Sequence, residues 1–486
     1  MKTGAALAAP PDLASRWAQW QIWAVLALGA SLRFYRLGAR QLWLDELIEA
    51  IHSAPSSLRV LLQGVTEDRG ATPLDYLIQH YVVAIFGRSE FWLRFHAALF
   101  GSLTIVVLFV LVSDLFDVRV GLMTSLLYAL YPLHLQYSQE GRPYALFTLL
   151  AVCSFLLFWK VLVKRRTRDW LAYLAVTILL IYANYFGMFV IFSQSVFSCA
   201  LFLPFFRRAW PQMQPLGWPF LLKLAATVAL AGGALAPWVV FGIKTVSGYK
   251  TDPLEFTFRT FLNLIKDVGN GSYPFAGLLI LLATLGAVKL KRERKYSHLL
   301  LLLCWLLLPL PFIFLLLWIK EYFFAIRQIL FTTPPLFLLV SLGVFWLSQW
   351  AVRFRLRPAR VMASTVALVA LISLVIIGLH ARDRYDDFRG AARFLQQNVT
   401  ASDVVCAHDI IPYLAFYSPD LRRHSPPVGQ LSALAAPAGG TIFVVKSKWM
   451  GASDQEFLDT ALQSPALKIQ SKTDFRGLEV LQFAAR

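Results

Sequence analysis

Long apolar stretches separated by short polar breaks fill the first 380 residues, and their lengths set the first expectation. A bilayer core about 30 Å thick takes roughly 20 apolar residues per helix. By that rule the chain has eleven candidate spans, near 17–37, 91–113, 119–136, 142–163, 170–187, 188–206, 219–242, 273–290, 297–319, 329–350 and 361–381. Two segments break the pattern. Residues 38–90 mix amphipathic and polar stretches, among them "SLRVLLQGV", which suits a helix lying flat at an interface. Residues 382–486 carry no long apolar run. There "DDFRGAARFLQQNV" sets Phe388, Ala391, Ala392 and Leu395 at helical spacing, and "DQEFLDTALQ" reads as a further helix. "DVVCAHD", "GTIFVVKS" and "LEVLQFAA" read as strands. Alternating elements predict a small α/β domain. The expected organisation is a polytopic α-helical membrane module over 1–381, with a first long loop at 38–90, and a water-soluble α/β domain over 382–486.

Composition agrees with that reading. Of 486 residues, 58% are hydrophobic and only 15% charged, against roughly 25% charged in a soluble domain. The formal charge of +18 does not point to nucleic acid, because no basic, aromatic-laced soluble domain carries it. Lys and Arg gather instead in breaks between spans: "KRRTR" at 164–168, Arg207-Arg208, "KLKRERK" at 289–295 and "RFRLRPAR" at 353–360. Basic breaks stay on the cytoplasmic side. This places the N-terminus in the cytoplasm, with loop 38–90 and the C-terminal domain extracytoplasmic, as in a bacterial inner-membrane protein. Arg33, Arg36 and Arg40 pull the other way after the first span. "WQIWAVLALGASLRF" could pass for a signal-peptide core but is expected to be an uncleaved anchor. Cys153, Cys199 and Cys304 lie in apolar runs and only Cys406 in the tail, so no internal disulfide is expected.

The candidate chemistry begins in "LWLDELIEAIHSA", where Asp45 and Glu46 directly follow the first span. Other polar residues gather at the same predicted level. Glu140, Arg142 and Tyr144 lie in "LQYSQEGRPYALF", and Lys320, Glu321, Tyr322 and Arg327 in "WIKEYFFAIRQILFTTPPLFLL". Arg69 and Asp75 belong to the first loop, around "ATPLDYLIQHY". Carboxylates and guanidiniums converging at one depth of a helical bundle mark a functional site by default. A carboxylate can take a proton from an attacking hydroxyl. A guanidinium can grip a phosphate and stabilise it as it departs. Together they suit group transfer from a lipid-anchored phosphate donor such as a polyprenyl-phosphate sugar. Glu49 and His52 share a helix face, but two ligands without further Cys or His make no convincing metal site. His408 and His424 read as surface histidines, and "NVT" at 398–400 as a chance sequon.

The segments "RFYRLGARQLWLDELIEA", "GATPLDYLIQHY", "YSQEGRPYALF" and "IRQILFTTPPLFLL", in that order, resemble the GT-C membrane glycosyltransferases. The likeness is to family 39, which includes protein O-mannosyltransferases and lipid A aminoarabinose transferases. "YDDFRGAARFLQQNVTASDVV" resembles the opening of the outer domain of many bacterial members. The resemblance implies an inverting, metal-independent transfer, without cofactor, from a polyprenyl-phosphate sugar to a hydroxyl of a glycan, lipid or protein acceptor. It assigns catalysis to the pair Asp45 and Glu46, with the aspartate as base. It assigns a donor phosphate contact to Arg327, with Arg69 the nearest cation in the first loop; the clustering of polar residues adds Arg142 as a further phosphate cation and Glu140, Tyr144 and Tyr322 as substrate contacts. The family's arginine is usually followed by tyrosine, whereas Gln328 follows here; its first loop usually has His or Lys before a double proline, whereas this chain has "GATPL". The competing reading is a transporter or flippase of a lipid-linked anion, which would place charges at mid-membrane in two related halves. No such repeat is visible.

Overall fold

The computed structural model describes residues 12–55, 57–68, 71–203, 217–242, 258–319, 324–380, 386–407, 409–425, 440–448, 452–464 and 467–485. Arg69 and Tyr322, with Lys320, Glu321, Arg207, Arg208 and His408, lie outside them. The chain divides into two compact units built from interleaved segments: residues 1–37, 62–81 and 94–381 form one, and 38–61, 82–93 and 382–486 the other.

The first unit is helical. In chain order its helices are α1 (Asp12–Phe34), then, after α2 (Leu44–His52) and α3 (Leu58–Glu67), α4 (Pro73–Phe86), α5 (Glu90–Leu115), α6 (Val118–Ala129), α7 (Pro132–Tyr137), α8 (Tyr144–Lys164), α9 (Thr167–Ala183) and α10 (Gly187–Ala200). There follow α11 (Trp218–Gly242), α12 (Phe258–Val268), α13 (Tyr273–Arg292), α14 (Tyr296–Leu306), α15 (Pro309–Ile319), α16 (Thr333–Trp350) and α17 (Pro358–His380). Each of the eleven expected spans meets helix. Among the described residues, seven stretches are long and apolar enough to cross a membrane: α5, α8, α11, α13, α14 with α15, α16 with its flanking turns, and α17. The chain is therefore a polytopic helical membrane protein. The expected span at 119–136 is two pieces, α6 and α7, because Pro132 lacks the N–H that would continue the first helix.

In a low-dielectric interior, helix ends and charges must find partners within the protein. Arg33, near the C-terminal end of α1, is fully buried. Its Nη1 donates to the carbonyls of Gly29 (3.0 Å) and Ala129 (3.2 Å), and its Nη2 meets Nδ1 of His134 at 3.1 Å. Arg33 thus acts as an internal tie between α1, α6 and α7, not as a flanking topology charge. Arg36, just beyond, has φ +52°, the left-handed turn that commonly closes a helix. The Gln139 carboxamide donates to the carbonyls of Leu32 (3.0 Å), Arg33 (3.1 Å) and Tyr35 (3.1 Å), closing the end of α1.

Helix α13 packs tightly against α16. A Cβ on Gly286 would strike the Leu339 carbonyl and one on Gly343 the Leu282 carbonyl, so the two glycines let the backbones touch.

The second unit holds a four-stranded sheet of order β1-β2-β4-β3, with β1 (Val404–Cys406), β2 (Ile442–Ser447), β3 (Leu467–Phe475) and β4 (Leu478–Ala485). β1 and β2 run parallel; the β2–β4 and β4–β3 pairs are antiparallel. Its helices include α18 (Phe388–Asn398), α19 (Ile411–Tyr417) and α20 (Ala452–Gln463). Asp387 caps α18 by accepting the Gly390 N–H at 2.8 Å. The inward residues expected from the sequence, Phe388, Ala391, Ala392 and Leu395, are buried together with Val405, Phe443, Val445 and Val480. The same core contains Leu42, Leu47 and Ala50, so α2 is part of this unit and packs against α19.

Replacing Gly343 by Ala drives a methyl group into a backbone carbonyl, an overpacking that costs about 1–3 kcal/mol. The thermal unfolding midpoint of the detergent-purified G343A protein should drop by several degrees; an unchanged midpoint would show that α13 and α16 do not touch there.

Candidate active site

In the second unit, residues 41–43 lead into α2, and Trp43 is extended at φ −93°, ψ 173° just before the first turn. Glu46 Oε2 accepts the Trp43 N–H at 3.2 Å, the return arm of a capping box. Glu46 is 2% exposed, whereas Asp45 is half-buried. Both acids lie in the first turn, where the helix dipole favours negative charge. The adjacent carboxylates are therefore not equivalent: Glu46 helps to build the turn that presents Asp45. The approach to α2 is tied to the C-terminal segment of the same unit. Leu42 N–H donates to the Tyr417 hydroxyl at 2.9 Å, and Gln41 Nε2 donates to the Asp386 carbonyl at 3.0 Å. Arg389 meets Glu90 at 3.1 Å. Burial first, then the nearby carboxylates of Glu90 and Glu46, push the Tyr417 phenol above its ordinary value against the Leu42 N–H and Arg389, so it stays neutral.

In the first unit the stretch between α7 and α8 is tightly folded. The Arg142 N–H donates to the Glu140 carbonyl at 2.8 Å. Gln136 Nε2 donates to Glu140 Oε1 at 3.1 Å, and Glu140 is 4% exposed. Arg142 Nη1 lies 3.1 Å from Asp68 Oδ2 and 3.4 Å from the Tyr76 hydroxyl, which itself donates to Asp68. Asp75, also from α4, meets Nε2 of His96 at 3.3 Å in a buried pair. Tyr144 opens α8, and its ring packs edge-on against Tyr137 with centroids 5.4 Å apart. The Arg327 guanidinium lies over the Tyr144 ring, 5.8 Å from its centroid, within cation–π range.

Arg327 belongs to a 3₁₀ turn, Ile326–Thr332, which side chains of the turn and of neighbouring helices hold in place. Gln328 Oε1 accepts the Ala325 N–H at 3.1 Å, Trp305 Nε1 donates to the Phe331 carbonyl at 2.9 Å, and Phe331 packs on Phe147 with centroids 4.9 Å apart. Gln328, the residue after Arg327, thus shapes the backbone carrying that arginine.

The structure brings Glu140, Arg142, Tyr144 and Arg327 into one unit, with Arg327 and Tyr144 in contact; it sets Asp45 and Glu46 in the other. Asp68 and Tyr76 are additions that the sequence did not single out. Asp68 adjoins Arg69 and Tyr76 follows Asp75, so each lies one position from a candidate residue. Among the described residues, no group of three or more His, Cys, Asp or Glu is placed to hold a metal ion.

The fold is that of the GT-C glycosyltransferases. Residues 70–236 match the family model for dolichyl-phosphate-mannose-protein mannosyltransferase, a range that takes in Glu140, Arg142 and Tyr144 but not Asp45, Glu46 or Arg327. Among solved structures, ArnT from Cupriavidus metallidurans in the apo state is similar over 96% of this chain and 98% of its own, at TM-score 0.60 and 16% identity. The same protein bound to undecaprenyl phosphate covers the same shares at TM-score 0.57 and 15% identity. The apo oligosaccharyltransferase of Archaeoglobus fulgidus matches 81% of this chain and 59% of its own, at TM-score 0.51 and 12% identity. No curated protein sequence matches.

The pair of Asp68 and Arg142 is mostly shielded, at 19% and 12% side-chain exposure. Charge-assisted hydrogen bonds of this kind contribute about 1.5–3 kcal/mol. A double-mutant cycle of D68A and R142A, read by thermal or denaturant unfolding in detergent, should show a coupling of at least about 1 kcal/mol. Additive effects would mean the pair does not form.

Proposed function

We propose that the protein transfers a sugar from a polyprenyl-phosphate carrier to an acceptor hydroxyl on the extracytoplasmic side of the membrane, with inversion at the anomeric carbon. One observation carries the reading: two guanidiniums, Arg142 and Arg327, are fixed by neighbouring aromatic and acidic groups in a fold shared with a protein that binds undecaprenyl phosphate. The chemistry follows from the groups available. A phosphate bearing a polyprenyl chain is a good leaving group, so the enzyme must stabilise its charge more than protonate it. Arg142 and Arg327 are assigned that task. Asp68 and Tyr76 orient the first guanidinium, and the Tyr144 ring supports the second.

Asp45 is assigned as the base that takes the proton of the acceptor hydroxyl as its oxygen attacks the anomeric carbon. The bond from that carbon to the phosphate oxygen breaks, and the lipid phosphate leaves. Glu46 is assigned to hold the turn, because its carboxylate already serves the Trp43 N–H. Glu140, Tyr144 and, outside the described residues, Tyr322 stand as further substrate contacts, and Arg69, also outside them, as a further cation for the phosphate. With the basic breaks on the cytoplasmic face, the N-terminus is cytoplasmic and α2 meets the acceptor on the far side, as in a bacterial inner membrane. The donor's sugar and the acceptor's class, whether glycan, lipid or protein, are left to experiment.

The test is a panel of polyprenyl-phosphate sugars incubated with the purified protein, following release or transfer of each sugar. D45N should bind the donor normally and lose about 10²–10⁴-fold in turnover, the usual worth of a general base. Near-normal turnover would remove Asp45 from that role. R327A should weaken donor affinity by about ten- to a hundredfold, as loss of a charge-assisted contact does. Unchanged affinity would remove Arg327 from the phosphate site.

A further inference from the structure

We infer that Tyr417 is a positioning residue for the acidic first turn of α2, so that the C-terminal segment sets the placement of Asp45. The inference rests on the reading of Asp45 as the base. Tyr417 stands 375 positions from Leu42 in sequence, yet its hydroxyl accepts the Leu42 N–H. Leu42 is completely buried and lies ahead of the helix, where no carbonyl of α2 can serve its N–H. A buried N–H in that position needs a partner from elsewhere. Tyr417 supplies it, and the neighbouring Gln41 side chain adds a second tie to the Asp386 carbonyl. The next N–H along, of Trp43, goes to Glu46. Three successive residues before the helix are thus each committed, two of them to the C-terminal segment.

Asp45 lies three positions after Leu42, so any slackening at the tether moves the carboxylate over no more than about 10 Å of chain. Tyr417 also ends α19, the helix on which α2 packs, and its ring lies against the shared apolar core. Removing only the hydroxyl keeps that packing and breaks the tie. Y417F is therefore the informative variant, and the expected effect is on the chemical step, since the guanidiniums assigned to the donor belong to the other unit.

The experiment uses the full-length protein in detergent with a polyprenyl-phosphate sugar that the wild type consumes. Y417F should lower kcat about tenfold while donor KM stays within about twofold. Amide hydrogen exchange in the same variant should rise in the peptide holding Leu42 to Glu46 and remain slow in 442–447 and 478–485. K472A, which removes an exposed ion pair to Glu479 at 2.7 Å on the β3–β4 edge, should change neither reading. Full kcat in Y417F overturns the inference, as does a loss confined to KM. Exchange that rises through β2 and β4 as well also overturns it, because Tyr417 then supports the sheet and not the turn. If D45N is inactive while Y417F is fully active, the positioning role alone falls. If the wild type consumes none of the donors, or D45N keeps full turnover, the reading of the site falls and this inference with it.

Discussion

A guanidinium buried at the end of the first helix is the constraint from which the candidate site follows. Arg33 has no access to solvent, and its partners include two carbonyls and a histidine nitrogen. A charge so placed is costly unless its donors are used. Meeting that requirement draws α6 and α7 to the end of α1. Gln139 then completes the helix end and fixes where the following residues begin. Those residues are Glu140, Arg142 and Tyr144. Arg142 is oriented by Asp68 and Tyr76, and Tyr144 underlies Arg327.

The groups assigned to the two halves of the proposed reaction belong to different folding units. The cations for the departing phosphate lie among the helices of the first unit, held by a 3₁₀ turn, an aromatic ring and an ion pair. The carboxylate for the acceptor hydroxyl lies on a short helix whose apolar face, through Leu47 and Ala50, joins the core of the sheet-containing unit. Nonpolar burial holds that helix in place, while polar ties at Gln41 and Leu42 fix where it starts.

Helix positions were the most legible feature of the chain, because apolar runs stand out directly; helix lengths were less so, since seven of the described stretches reach spanning length against eleven expected. The division between α6 and α7 was signalled by Pro132 but hidden within one apolar run. β3, "LKIQSKTDF", is an edge strand in which polar Ser471 and Thr473 take two of the more buried alternate positions, so its period-two pattern carries little apolar signal. The motif residues were recognisable, but their division of labour was not. Glu46 as a cap follows from helix-start rules once the helix is known to begin at Leu44. Asp68 has no local signal: it matters through Arg142, 74 positions away. The same holds for the second unit, where residues 38–61 and 82–93 join the C-terminal segment through contacts that span most of the chain.

That interleaving bears on how such proteins diverge and how they can be engineered. A segment appended by simple fusion would carry a self-contained core, and recombination could exchange it at a single junction. Here the apolar layer beneath the sheet borrows Leu42, Leu47, Ala50 and Leu93 from distant stretches. A chimera that imports a relative's C-terminal residues alone would meet foreign loops at that layer. Compatible swaps must carry three pieces of sequence together, so the tail and the acid-bearing helix are bound to be inherited as one cassette.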